Sequence, residues 1–296
     1  MTAIKANIYK GRNEKVGPGL DIVRSLPNHK FNAMGSVVFV DHLIEKTQSP
    51  KKAGMPNGSF AHPHRGIATF TYIMEGSVHH LDSNGGEGKV YAGGIQWMKA
   101  GNGIVHDEFQ TYDFQEEGGK MHGMQIWLNL PAVNKAEAPD YKMVKGDEVP
   151  EIILPNNAGK VRVLLGEFEG YKSVIPTYLG QFMGHVHLKP GKYITLPVTE
   201  GWEYGMYVTK GDIKIDNQIE VSGNEIAALS GLGKQVTLTN EGEVNTDLIV
   251  FGGEPYTEPM VAYGPFIMNT KEEIELAYSD YQEGKYGKID YSKVKL

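Results

Sequence analysis

One stretch of the chain decides how the rest is interpreted, FAHPHRGIATFTYIMEGSVHHLDSNGGEGKVYAGGIQWMKAGNGIVHDEFQ (60–110). It contains two pairs of potential metal ligands, His62 with His64 and His106 with Glu108, and one residue separates the members of each pair. Alternate side chains of an extended strand point to the same face, so each pair presents two donor groups on one side of its strand. Two such strands facing each other inside a barrel would bring the four ligands together.

The composition is that of an ordinary globular protein. The chain has 296 residues, 40% of them hydrophobic and 22% charged, which is enough for two domains of about 100 to 200 residues each. Because 36 acidic residues outnumber 29 basic ones, the formal charge is −7, and we expect no direct binding to nucleic acid. This charge does not exclude a protein partner that itself binds DNA.

The absence of cysteine limits the chemistry of any metal site. Disulfides and thiolate ligands are both excluded, so a metal would be held by histidine and carboxylate groups. The first fifteen residues have no apolar signal region, and no run of 18 apolar residues occurs. We expect a cytoplasmic protein that does not associate with membranes.

Short strands separated by glycine turns predict an all-β fold. The 37 glycines are spread along the chain and punctuate runs rich in β-branched and aromatic residues. This pattern is typical of β-barrels and sandwiches. The runs are GSVVFV (35–40), IATFTYIM (67–74), KVRVLL (160–165), YGMYV (204–208) and DLIVF (247–251).

One helix is predicted near the end of the chain. Thr270 and Glu273 form a capping-box pattern, and the next apolar residues fall on one helical face. We expect this helix to pack on a sheet.

The domain junction is predicted around 130–155, where four prolines interrupt a charged segment without a strong apolar period. Such a composition fits a connector that crosses the surface. The predicted domains are 1–133, which holds the metal site, and 134–296, which has none.

The two predicted domains look like distant copies of one unit. TYIMEGSV (71–78) and MYVTKGDI (206–213) share a strand that runs into a glycine turn. Alignment of the glycines places Lys234 at the position of His106, and it places Pro197 and Thr199 at the positions of the two earlier histidines. The second copy is therefore predicted to keep the scaffold and lose the metal site.

These motifs resemble those of a known family. Gly94-x5-Ala100-x-Gly-x-Gly103-x2-His106 is similar to the second cupin motif, and His62-Pro-His64 is similar to the histidine pair of the first. More narrowly, four blocks resemble the pirin family, a two-domain branch of the cupin superfamily, over about 20–287. The blocks are HPHRG (62–66), MEG (74–76), IQWMKAGNGIVHDE (95–108) and GEPYTEPMVAYGPFIMNTKEEI (253–274).

The resemblance implies a bicupin of two antiparallel jelly-roll barrels. It also implies a metal held by His62, His64, His106 and Glu108. A typical cupin has a further glutamate four residues after its second histidine, where this chain has Ala68. The carboxylate ligand is therefore expected from Glu108, which is also where pirins carry it.

Three imidazoles and one carboxylate form a site suited to a divalent transition metal. Fe(II) is the favoured ion, with Mn(II), Ni(II), Co(II) and Zn(II) as alternatives. About two positions of a six-coordinate ion would remain for water, substrate or O2. The alternative interpretation is that the four residues are ordinary barrel residues, but two alternating pairs after glycine-rich turns favour metal binding.

Other histidines are weaker candidates. His79 and His80 are adjacent and would face opposite sides of a strand, which favours a polar pair at a strand end. His185 and His187 alternate but have no partner at the aligned lysine, so we expect surface residues on an outer strand. A core role and a cavity-lining role are equally open for His122.

Two functional classes follow from the resemblance. As an enzyme, the chain is expected to cleave a flavonol such as quercetin with O2, with Glu108 as a metal ligand and a general base for the substrate hydroxyl. Five apolar side chains would suit a flat aromatic ligand, although they could equally be barrel core. They are Phe60, Trp97, Met98, Phe109 and Met124.

The alternative is a metal- or redox-dependent regulator that binds a transcription or metabolic partner, with little turnover. We favour the enzyme, because an open site with mixed ligands is costly to maintain unless something binds there. We also expect a monomer.

Overall fold

The computed structural model describes residues 4–16 and 20–294, and it divides into two compact units. The N-unit comprises the described residues of Glu14–Ile22, His42–Glu148 and Thr257–Leu296. The C-unit comprises those of Met1–Asn13, Val23–Asp41 and Val149–Tyr256. The domain boundary between 133 and 134 stays a prediction.

Strands dominate both units, as the glycine-punctuated runs predicted. In chain order the elements are β1 (Lys5–Lys10), β2 (Arg12–Val16), β3 (Leu20–Leu26), β4 (Val37–Gln48), β5 (His62–His64), β6 (Ile67–Glu75), β7 (Ser77–Asp82), β8 (Glu87–Tyr91), β9 (Ile95–Lys99), β10 (Ile104–Phe109), α1 (Tyr112–Glu117), β11 (Gly119–Asn129), α2 (Ala132–Lys135), β12 (Asp140–Val144), β13 (Glu151–Ile153), β14 (Gly159–Leu165), β15 (Glu167–Phe168), β16 (Tyr171–Lys172), β17 (Gln181–Leu188), β18 (Lys192–Pro197), β19 (Glu203–Lys210), β20 (Asp212–Ile215), β21 (Ile219–Ser222), β22 (Glu225–Ser230), β23 (Gln235–Asn240), β24 (Thr246–Gly253), β25 (Val261–Tyr263), β26 (Phe266–Met268) and α3 (Lys271–Gln282). Short 3-10 turns lie at Pro155–Asn157 and Tyr291–Lys293.

The same pair of sheets occurs twice. One seven-stranded sheet has the order β12-β9-β6-β11-β4-β3-β2, and it is accompanied by a four-stranded sheet β5-β10-β7-β8. The other seven-stranded sheet has the order β1-β22-β19-β24-β17-β14-β13, and it is accompanied by β18-β23-β20-β21. The pairings in these sheets are antiparallel, which confirms the predicted all-β bicupin architecture.

The glycines used to align the copies occupy equivalent turns. Gly76 lies between β6 and β7, and Gly211 lies between β19 and β20. Both have positive φ, 86° and 73°, a conformation that glycine adopts without steric cost. The predicted duplication is therefore visible in the strand order and in the turn chemistry.

The segment predicted as a surface connector is more structured than its composition indicated. Residues 140–144 form β12, which pairs with β9 along its whole length and buries Val144. Its exposed positions alternate with partly or fully buried ones, as in an edge strand with one solvated face. Its partner lies about 45 residues earlier in the sequence, and local composition does not reveal such a pairing.

The predicted C-terminal helix is present as α3. The Thr270 hydroxyl accepts a hydrogen bond from the Glu273 amide, and the Glu273 carboxylate accepts one from the Thr270 amide. Ile274 and Ala277 are buried in a cluster with Phe266 of β26. Within the described residues, no helix is long and apolar enough to span a membrane.

Candidate metal centre

Three of the four predicted ligands meet where β5 pairs with β10. The antiparallel register places His62 opposite His106 and His64 opposite Ile104. One potential ligand atom from each of the three histidines lies within 4.8 Å of those of the other two. The Nε2 atoms of His62 and His106 are 3.1 Å apart. The three imidazoles therefore converge, as the alternation of the two pairs predicted.

The backbone around β5 holds the first two rings in a fixed orientation. The Nδ1 atom of His62 lies 2.7 Å from the carbonyl oxygen of Phe60, and the Nδ1 atom of His64 lies 3.1 Å from that of Pro265. A carbonyl accepts from an N–H, so each Nδ1 carries the proton and each Nε2 keeps a lone pair. Hydrogen bonds of this kind orient histidines that bind metals.

The third ring is deeply buried. His106 is fully inaccessible to solvent, and its Nδ1 has no hydrogen-bond partner among the described residues. A buried polar atom without a partner costs free energy, so its retention indicates a purpose other than stability.

Burial keeps the imidazoles of His64 and His106 neutral. Burial, with a smaller contribution from His62, lowers the pKa of His64 to about 3. Burial, followed by the nearby rings of His62, His64 and His80, lowers the pKa of His106 well below 6.5. Neutral imidazole is the form that binds a metal.

Glu108 lies beside His106 but outside the cluster of the three histidines. Its Oε2 atom is 3.9 Å from the Nδ1 atom of His106, and it forms a second cluster with that ring and His80. Its Oε1 atom accepts hydrogen bonds from the Gln96 amide at 2.5 Å and from the Thr71 hydroxyl at 3.2 Å. One carboxylate oxygen is therefore anchored to β6 and β9, and the other faces His106.

His80 is the residue that sequence reasoning underestimated. It is fully buried on β7 opposite Glu108, and its Nε2 atom lies 3.1 Å from a carboxylate oxygen of Asp82. Its ring stacks on Tyr141 with centroids 4.4 Å apart. Because His79 and His80 point to opposite faces of one strand, their adjacency argues only against a metal shared by the two. It does not prevent His80 alone from reaching the site, because β7 pairs with β10.

Asp82 completes this side of the site as an anion. Burial opposes its ionisation, but hydrogen bonds from His80 and from the Gly86 and Asn84 amides outweigh burial and lower its pKa.

The residues present fit a divalent metal ion. Two of the three imidazoles are held through Nδ1, the third is fully buried, and a carboxylate lies next to the third. The described residues also form a third cluster with metal-ligand chemistry, of Glu45, Glu75 and His122, in which the histidine is partly exposed.

Comparison with known proteins places this arrangement in a family. Residues 19–128 match the pirin family, and residues 183–287 match the pirin C-terminal cupin domain. A Pseudomonas aeruginosa protein with the provisional name quercetin 2,3-dioxygenase is 34% identical over 94% of this chain and 96% of its own length. The chain belongs to the pirin family.

Further relatives support this membership. Human pirin is 34% identical over 93% of this chain and 91% of its own length. A crystal structure of quercetin 2,3-dioxygenase from Acinetobacter baumannii superposes with a TM-score of 0.89 at 31% identity, covering 96% of this chain and 98% of the other. A nickel(II) complex of a bacterial pirin from Escherichia coli shares the fold, with a TM-score of 0.64 at 16% identity over 85% of this chain and 100% of the other.

The apolar lining predicted for a flat ligand in this pirin-family chain needs correction. Trp97, Met98 and Met124 have no exposed surface, so they belong to the packed core and line no accessible space. Phe60 is 36% exposed and Phe109 is partly exposed, so these two can contact a ligand.

His185 and His187 are not simple surface residues of the pirin-family fold. The side chains are 13% and 27% exposed, and both rings lie within hydrogen-bonding distance of Asp247 on the adjacent strand β24. Lys234 cannot complete a metal site with these histidines. They interact instead with the Asp247 carboxylate on the neighbouring strand.

Strand register corrects the positions assigned to the second copy. With Gly76 on Gly211, His80 and its partner Glu108 correspond to Ile215 and its partner Leu238. By the same register, the pair of His106 with His62 corresponds to Val236 with Leu196. The four C-unit residues are apolar and buried, so these positions offer no metal ligands, and glycine spacing alone placed the equivalents incorrectly. The absence of a metal site from the second domain stays a prediction.

Proposed function

We propose that the chain is a metal-dependent dioxygenase of the quercetinase type, which cleaves a flavonol ring with O2. One divalent metal ion would be held by His62, His64, His106 and Glu108. The convergence of three imidazoles at the junction of β5 and β10 is the observation that carries this proposal. The provisional name of the Pseudomonas relative and the quercetin 2,3-dioxygenase from Acinetobacter baumannii support it.

The bound ion would supply Lewis-acid or redox chemistry at a site with open positions. We favour Fe(II), because a mixed imidazole and carboxylate set with open positions suits O2 chemistry. Nickel is an alternative that the Escherichia coli relative supports, since its crystal structure contains nickel(II).

We propose that Glu108 moves a proton. Gln96 and Thr71 hold its Oε1 atom, so the Oε2 atom is the one that a substrate hydroxyl would meet. The carboxylate is 20% exposed, which gives a substrate access while the anchored oxygen fixes the direction of the other. Buried Gln96 positions the carboxylate and does not itself touch the substrate.

The open side of the site is at His62. This ring is partly exposed, whereas His64 and His106 are buried. Phe60 and Phe109 are partly exposed and would present aromatic surface to a flat flavonol. The substrate is therefore proposed to approach past His62.

A reconstitution assay tests this function. Metal-stripped protein is loaded with Fe, Mn, Co, Ni or Zn in turn, and quercetin loss is followed by absorbance together with O2 uptake. We expect turnover with at least one metal and its loss in His106→Ala and Glu108→Ala, whereas His185→Ala in the C-unit should retain activity. If the wild-type turnover exceeds that of the two variants with none of the metals, the dioxygenase proposal is refuted.

The regulator is the other outcome of this experiment. A chain that binds metal, lacks turnover and captures a partner only when loaded would act through protein binding. Both proposals include a cytoplasmic location and a monomeric state. Gel filtration with light scattering tests the monomeric state.

A further inference from the structure

The C-unit contains an apolar cavity of about 110 Å³. Its inner wall is formed by buried side chains, among them Met206, Val236 and Val250. Exposed residues, Glu167, Pro197 and Thr199, also line it, so the cavity has a side that faces solvent.

The cavity lies where the duplicated scaffold has its histidines in the N-unit. Leu196 and Val236, the register equivalents of His62 and His106, both line it. The C-unit has thus exchanged polar ligands for apolar side chains at this place without filling it with larger side chains. A well-packed core has few voids of this size, because voids forfeit dispersion contacts.

The walls define the chemistry of the occupant. Four aromatic side chains line the cavity in two neighbouring pairs, with ring centroids 5.8 Å apart for Phe168 and Phe182 and 6.3 Å apart for Trp202 and Tyr204. Aromatic walls favour a ring that can meet their faces or edges. The Glu167 carboxylate beside the cavity disfavours an anion.

The Tyr204 hydroxyl also fixes the segment on the solvent side. It accepts a hydrogen bond of 2.8 Å from the backbone amide of Thr199. This bond joins the 198–202 turn to β19 and so anchors the turn at the solvent side of the cavity.

We propose that the C-unit binds a small neutral molecule with one aromatic ring in this cavity. The volume limits the occupant to about one ring, because an engineered apolar cavity of about 150 Å³, which is somewhat larger, binds benzene. This site is independent of the metal chemistry proposed for the N-unit.

Benzene is the probe for the test, and methyl resonances of the full-length, metal-loaded protein are the readout. We expect saturable shifts of the Leu196, Met206 and Val250 methyl groups, with no shift of Ile104 beside the histidines. Val236→Phe, which fills the cavity, should weaken binding at least about tenfold.

Two tryptophan variants provide a matched pair in which the core is unchanged. Thr199→Trp narrows the solvent side and should also weaken binding about tenfold or more. Thr195→Trp places the same side chain on an exposed position of β18 outside the cavity and should bind as wild type. Absence of saturable shifts in wild type, shifts at Ile104 alone, or equal affinity in wild type, Val236→Phe and Thr199→Trp would overturn the proposal.

Discussion

Two backbone carbonyls determine which nitrogen atoms of His62 and His64 are free to bind a metal. The carbonyl oxygens of Phe60 and Pro265 accept hydrogen bonds from the Nδ1–H groups, and burial keeps His64 neutral. The first carbonyl is two residues away and local, whereas the second comes from a segment about 200 residues later. The ligand types were therefore predictable from sequence, but the groups that orient them were not.

At Gln96, the substitution Gln96→Leu should weaken metal binding. It keeps the side-chain size and removes the amide that anchors the Glu108 carboxylate. Loss of such an orienting hydrogen bond typically costs about 10- to 100-fold in metal affinity. Competition with a chelator measures the effect.

Gln125→Leu is the matched control, because the Gln125 side-chain amide accepts a hydrogen bond from the Thr71 hydroxyl and does not contact the Glu108 carboxylate directly. We expect a smaller loss in this variant. Equal affinity of Gln96→Leu and wild type would show that Glu108 needs no anchor or is not a ligand.

Among the elements, β5 and β10 show what a two-residue period can predict. Alternation placed each ligand pair on one strand face, and the structure has both strands. Pro63 is tolerated in β5 because this strand is at the edge of its sheet. The alternation could not give the register between strands, and so it underestimated His80 on β7. Glycine spacing, for the same reason, misplaced the equivalents in the C-unit.

The strand pair β17 and β24 carries a prediction about pH. Burial opposes the charge of Asp247, but hydrogen bonds and charge interactions with His185 and His187 outweigh it and lower its pKa to about 2, from 3.8. A carboxyl group with a lowered pKa stabilises the folded state above its unfolded pKa, and this contribution is lost as the pH falls through about 4 to about 2.

Asp247→Asn should therefore lower the free energy of unfolding by about 2 kcal/mol near pH 5. The difference from wild type should shrink below pH 4. Urea unfolding between pH 2.5 and pH 7 measures it, with the exposed Glu243→Gln as the control that should change little. A deficit that is constant across this range would contradict the assignment.

In the molecule as a whole, one strand scaffold occurs twice, with polar side chains at the equivalent positions of one copy and apolar side chains in the other. The strand orders of the two sheet pairs match, yet the N-unit has histidines where the C-unit has leucine and valine. The repeated glycine turns allowed the duplication to be predicted from sequence. The cavity could not be predicted, because it depends on how side chains distant in the chain pack together.

Metal removal should act on only one of the two copies. An ion at 100 times its dissociation constant stabilises the folded state by about 2.7 kcal/mol. We therefore expect amide hydrogen exchange in β5 and β10 to rise by up to about 100-fold after chelation. The equivalent strands β18 and β23 serve as the internal control and should not change, and an equal rise in both copies would argue against a metal in the N-unit alone.

The most direct test of the central claim is the metal stoichiometry of the purified chain. Metal-stripped protein is equilibrated with Ni(II), or with Fe(II) without oxygen, and bound metal is measured by mass spectrometry. Wild type should bind one ion per chain, and His62→Ala with His64→Ala in one chain should abolish this, while His185→Ala with His187→Ala should retain it. One tightly bound ion in the His62 and His64 double variant would contradict the assigned centre.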